Sequence, residues 1–146
     1  MDEAAIIDYI RETYPDVDIL TAGSGTFFSL DPEKHWPNFV TLVTSDEYDS
    51  ASNLSPPAVY RLNIGLSKQT FDGLVSVITD PDYTALDRVM PHPVYALQHW
   101  VSILNPSDAS FESIVKPLLD EAHERVAHSR RRLAAAKSGA DSATLR

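Results

Sequence analysis

A histidine held between two prolines, Pro91-His92-Pro93, is the sharpest chemical feature of this sequence. Each proline fixes its own φ and pushes the residue before it into an extended conformation, so the backbone of His92 is pre-set before any tertiary contact forms. An imidazole presented in that way has two uses. Beside an acid, His92 is a candidate general base or ligand. Alternatively it hydrogen-bonds a backbone carbonyl and orders its own loop. The structural use stands first, because no catalytic motif surrounds the residue. A second group lies in the alternating run VYRLNIGL. Arg61 and Asn63 are two apart and so share one strand face. With Lys68 just beyond, and with His92 and Tyr95, they are candidates for binding an anion or a small polar ligand. The competing reading pairs Arg61 with Asp46 or Glu47 across a hairpin, worth about 0–1 kcal/mol at an exposed site.

Other constellations are weaker. His35, His92 and His99 with Asp46 or Asp49 show no metal-ligand spacing, so they read as separate polar residues and no metal is expected. Gly23-Ser24-Gly25 lacks the lysine and the following helix of a phosphate-binding loop, so it reads as a hairpin turn. No cofactor motif is legible, and no cofactor is expected. The absence of cysteine removes disulfides, thiolate metal sites and thiol nucleophiles, and fits a cytoplasmic protein.

The elements that must position these residues read as follows. Residues 2–14 carry Ile6, Ile7, Ile10 and Tyr14 at helical spacing, with Asp2 as N-cap and Pro15 as stop. Four antiparallel strands follow at 18–22, 26–30, 38–44 and 58–65. The last two are joined by the polar loop SDEYDSASNLSPP, and this hairpin forms a platform with one polar face. Ser67 caps a short helix through Val75 that should bury Phe71, Leu74 and Val75. Residues 78–90 read as a long connector. WVSIL at 100–104 is a fifth strand, with Trp100 expected in the core beneath the last helix, near Phe111 and Leu118. That helix carries Phe111, Ile114, Val115, Leu118, Leu119, Ala122 and Val126 as an apolar stripe. Pro117 inside it should either kink the helix or open its main part. The expected fold is α+β: a two-layer sandwich, with an antiparallel sheet of about five strands and the N- and C-terminal helices on one face. Most aromatics, Trp36, Trp100, Phe27, Phe28, Phe39, Tyr48, Tyr60 and Tyr95, should lie in the core; Tyr48, in the Asp-rich loop, is the one expected to be exposed.

The chain has 146 residues, 43% hydrophobic and 23% charged, enough for one domain with a real core. Its net charge of −9 is unevenly spread. Residues 129–146 hold five bases against one acid and so carry +4, leaving −13 on the rest. A body that acidic repels a phosphate backbone. The expected division is a single domain over 1–128 and a basic, disordered tail over 129–146. Weak nucleic-acid contact is expected only through Arg130, Arg131 and Arg132. Asp2 and Glu3 leave no basic region for a secretory signal, and no apolar run approaches the roughly 20 residues of a membrane span, so no membrane association is expected.

HWVSILNPSDASFESIVKPLLDEAHERVA, preceded by a helix, an antiparallel meander and a short helix, resembles the ending of the MmcQ/YjbR-like family. MPHPVY and RLNIGLSK resemble a bacterial, mainly actinobacterial, family of unknown function. The resemblance covers roughly residues 1–128 and implies a two-layer α+β fold with helices on one sheet face. A DNA-binding label attaches to the MmcQ/YjbR-like family by fold analogy alone. The resemblance transfers no catalytic residue. The chain departs from the family in its long insert at 46–57 and its acidic body.

These features point to a binding or adaptor module that is not an enzyme, taking a small molecule or a protein on the polar sheet face and the adjoining loops 45–57 and 78–95. It would act as a monomer or dimer. The competitors are an enzyme using His92 with a carboxylate and weak DNA binding through the tail.

Overall fold

A computed structural model describes the backbone of residues 1–144 and the side chains of residues 1–137. The first helix, α1 (Glu3–Thr13), forms where the apolar spacing places it, and Asp2 caps it by accepting a hydrogen bond from the Ala5 N–H at 2.8 Å. Strands β1 (Asp18–Ala22), β2 (Gly25–Ser29), β3 (Asn38–Val43) and β4 (Arg61–Gly65) follow as an antiparallel meander. Helix α2 (Lys68–Val75) is capped by Ser67. A two-residue strand β5 (Met90–Pro91) and strand β6 (Trp100–Leu104) complete a six-stranded sheet of order β1-β2-β3-β4-β6-β5. The chain then forms a short helix α3 (Asp108–Ser110), a π-helical turn (Phe111–Val115) and the long helix α4 (Lys116–Thr144).

The expected α+β architecture holds, with one strand more than expected. The extra strand is β5, hidden in what reads as a connector. It is two residues long and half of it is proline, which a sheet tolerates only at its edge, where β5 lies. The main part of the last helix opens one residue before Pro117, close to the second of the two expected roles. Pro117 is the second residue of α4, directly after the π turn, where the ladder is already interrupted. In the region read as a disordered tail, α4 continues to Thr144, with its side chains exposed from His128 to Lys137; Arg146 lies outside the described residues.

The register decides what each sheet face carries. Val40, Ile64 and Val101 form one cross-strand row, and Leu42, Leu62 and Ile103 another. Both rows are buried beneath α1, the π turn and α4, against Ile6, Ile10, Phe111, Val115 and Leu119. Burying a side chain of this size contributes about 1.5–3 kcal/mol, so this layer supplies most of the driving force for folding. Ile114 and Leu74, expected on buried stripes, are each 37% exposed. The alternate residues face the other way. Phe27, Thr41, Asn63, Ser102 and Met90 form a row across five strands, and Val43, Arg61 and Leu104 form the next. Trp100 has the parity of this second face and not of the core. It lies over Gly65, where an added Cβ would come within 2.9 Å of the indole Cε2. The expected burial of Trp100 under the last helix is therefore wrong by one residue of alternation.

Candidate functional site

The second sheet face floors a concavity of about 490 Å³, and the register explains its chemistry. Thr41, Asn63 and Ser102 are cross-strand neighbours, so their short polar side chains meet directly. Asn63 Nδ2 donates to Thr41 Oγ1 at 3.0 Å, while Asn63 Oδ1 accepts from Ser102 Oγ at 2.7 Å and from Arg61 Nε at 3.0 Å. Arg61 is only 2% exposed. Its Nη1 donates to Asp49 Oδ1 at 2.9 Å and to Ser52 Oγ at 3.0 Å, and its Nη2 donates to Asp49 Oδ2 at 2.6 Å. A buried guanidinium needs this satisfaction, because an unpaired charge in low dielectric costs several kcal/mol. Its partner is neither Asp46 nor Glu47, as the sequence suggests, and the pair is not an exposed one. Asp46 instead ties the loop to itself, accepting from the Leu54 N–H and Ser55 Oγ. Glu47 accepts from the N–H and Oγ of Ser24 in the β1–β2 turn. The Arg61 hydrogen bonds, ahead of every other influence, hold the Asp49 carboxyl below the usual carboxylate range.

His92 reaches the same face because its backbone N–H donates to the Trp100 carbonyl just beyond the β5–β6 pairing. Its Nδ1 accepts from the N–H groups of Val94 and Tyr95, each at 3.0 Å. The structural role is therefore real, but with the opposite polarity to that expected: the imidazole accepts from the loop and does not donate to a carbonyl. With Nδ1 an acceptor, the proton of the neutral ring sits on Nε2. Burial first, and the Arg61 charge second, lower the His92 pKa to about 4, against a small opposing pull from Asp49. Among the described residues no carboxylate is hydrogen-bonded to the ring. At neutral pH His92 is thus an uncharged donor at Nε2.

Aromatic side chains wall the concavity: Phe27, Trp36, Tyr48, Tyr95 and Trp100. Trp36 is 67% exposed and Tyr95 54%, so the expectation that most large aromatics serve the core fails on this side of the sheet. Tyr48, 48% exposed as anticipated, is fixed by donating its hydroxyl to the Ala22 carbonyl at 2.7 Å and by edge-on contact with Phe27. Asn38 lines the wall with a buried Oδ1 that has no hydrogen-bond partner among the described residues. Gln98 completes the polar rim.

Of the residues singled out in the sequence, Arg61, Asn63, His92 and Tyr95 line this one concavity and Lys68 does not. Lys68 sits exposed on α2, paired with Asp72. His35 pairs with Asp18, and His99 closes a 3₁₀ turn in a left-handed conformation. These histidines do not join His92, and no group of three or more His, Asp or Glu is placed to hold a metal among the described residues. Arg130 lies 3.4 Å from Asp31 and Arg131 lies 2.6 Å from Glu124, so two of the three tail arginines face acids of this chain. Among the described residues no helix is long and apolar enough to cross a membrane.

Asn38, Thr41 and Ser102 escape the reading of the sequence, and Asp49 enters it only as an acid near the histidines and not as the partner of Arg61. The alternation around Thr41 and Ser102 puts each on a face opposite large apolar residues, but only the register joins them. No curated protein and no solved structure matches the chain. A family model, described as a family of unknown function, DUF6194, matches residues 1–136. Matched over nearly its whole length, the chain belongs to the DUF6194 family.

Proposed function

We propose that this protein is a binding module, not an enzyme, and that it holds a small molecule in the aromatic-walled concavity over Arg61, Asn63 and His92. The observation that carries this reading is the conjunction of half-exposed aromatic walls with a floor of buried, mutually oriented polar groups. Large exposed aromatics beside a concavity favour a guest that covers them. The centre of the polar network is fixed, since Arg61 and Asn63 are each held by at least two side chains, Asp49 by Arg61 and the Ala51 N–H, and His92 by two backbone N–H groups, which lowers the entropic cost of binding. A competing hydrolase or isomerase needs His92 to take a proton. Its Nδ1 already accepts two N–H groups and its Nε2 already carries the proton, so the ring has no basic site to offer at neutral pH.

Both tryptophans of the chain line the concavity, so intrinsic fluorescence reports its occupancy directly. A small-molecule fragment screen read by tryptophan emission should return hits that also raise the unfolding midpoint and shift the Trp36 and Trp100 indole N–H resonances. A screen with no hits, or with hits that leave both indoles unmoved, would overturn the proposal.

A further inference from the structure

We propose that the guest is a neutral, planar ring bearing an N–H donor beside a C=O acceptor, the edge shown by a lactam-type nucleobase. This rests on the binding reading above and narrows it to one ligand class. The walls favour flatness. Trp36, Trp100, Phe27, Tyr48 and Tyr95 offer π-faces and edges, which reward an aromatic guest beyond the area it buries.

The electrostatics favour neutrality. Among the described residues the only charged side chains lining the concavity are Asp49 and Arg61, and they neutralise one another through two hydrogen bonds. His92 is uncharged. Arg125 stands only in an adjoining hollow of about 290 Å³, on a body that carries −13 over residues 1–128. An anionic guest would give up its hydration without a free cation on the floor to replace it.

The hydrogen-bonding inventory favours an edge with both polarities. Arg61 Nη2 and Asn63 Nδ2 each donate one hydrogen within the protein and have a second with no acceptor among the described residues. His92 adds Nε2–H. Against these donors, Asn38 supplies one buried acceptor without a partner, Oδ1. A guest C=O answers the donors and its neighbouring N–H answers Asn38. An apolar guest of the same shape would leave all of them unpaired, which is the costly outcome for buried polar groups.

The test uses the full chain and tryptophan emission. Uridine and inosine carry the required edge, N3-methyluridine lacks the donor, toluene lacks polar groups and uridine 5′-monophosphate adds charge. Saturable quenching by uridine or inosine is expected, with N3-methyluridine and toluene at least about tenfold weaker and the monophosphate no tighter than the nucleoside. Asn38→Leu, with its unfolding midpoint checked, should weaken the nucleoside about tenfold and leave toluene unchanged. Equal affinity for toluene would make the site a plain apolar cavity, and a tenfold gain from the phosphate would make it an anion site; either overturns the inference. Failure of both nucleosides while the fragment screen yields hits at the tryptophans overturns the ring class alone. Failure of both experiments removes the binding reading with it.

Discussion

His92 should make the stability of this protein depend on pH in a window that begins above the carboxylate range. In the unfolded chain the imidazole has its ordinary pKa of 6.5; in the fold, burial and the nearby Arg61 charge lower it to about 4. Between these values the unfolded state binds more protons than the folded one, so stability rises with pH and is lost as pH falls. The contribution is fully present above about 6.5 and falls progressively toward 4. Integrating between those pKa values, lowering the pH from about 7 to about 5 should cost roughly 2 kcal/mol, and the full effect at lower pH should approach roughly 3 kcal/mol. Asp31, Glu47, Asp49, Asp82 and Asp87 are all held below the usual carboxylate range, so they also lose stability as pH falls, and a control that shares them is needed to isolate the histidine. The control is His92→Asn, whose side-chain oxygen can accept the same Val94 and Tyr95 N–H groups but does not titrate. Urea denaturation of both proteins at pH 7, 6 and 5 isolates the histidine. The wild type should lose about 2 kcal/mol more than the variant over that range. Parallel curves, or a His92 resonance titrating near 6.5, would refute the assignment of a buried neutral imidazole.

Further outcomes follow from the two faces of the sheet. Arg61→Met and Asp49→Leu should each destabilise by about 3–5 kcal/mol by stranding the partner charge, while the double variant costs far less than their sum; an additive double-mutant cycle in urea would show that solvent screens the pair. Phe111→Ala, at a side chain 1% exposed in the core, should cost about 3–5 kcal/mol. Trp100→Ala should cost clearly less and chiefly reshape the concavity, so equal losses in equilibrium denaturation would put the indole back in the core.

How much of this was legible depended on whether the physics was local. Helix α1, its Asp2 cap, strands β1 and β6 and the Ser67 cap all follow from short-range spacing and capping chemistry, and all form where the sequence places them. Strand β5 was not legible, because a two-residue edge strand containing a proline has no period to detect. Trp100 went to the wrong face for a related reason. In W-V-S-I-L the alternation alone groups Trp100 with Ser102 and Leu104, and the large indole suggests burial, but the neighbouring row contains Val101 and Ile103, which fit the helix layer. The size of the side chain outweighed its parity in the reading, whereas in the fold parity decides.

The same distinction explains why four candidate site residues were found and their partners were not. Arg61, Asn63, His92 and Tyr95 stand out by type and local context, and they do line one concavity. Asp49 sits twelve residues from Arg61 in a loop with two other acids, Asp46 and Glu47, and nothing in its immediate sequence marks it over either. What selects it is that Asp46 is consumed by Leu54 and Ser55 and Glu47 by Ser24, leaving Asp49 as the loop carboxylate directed at the sheet. Arg61 is thereby neutralised and buried, where a free arginine on an open strand would have made an anion site. The loop's internal hydrogen bonding thus sets the charge of the floor, and through it the kind of guest the concavity can hold.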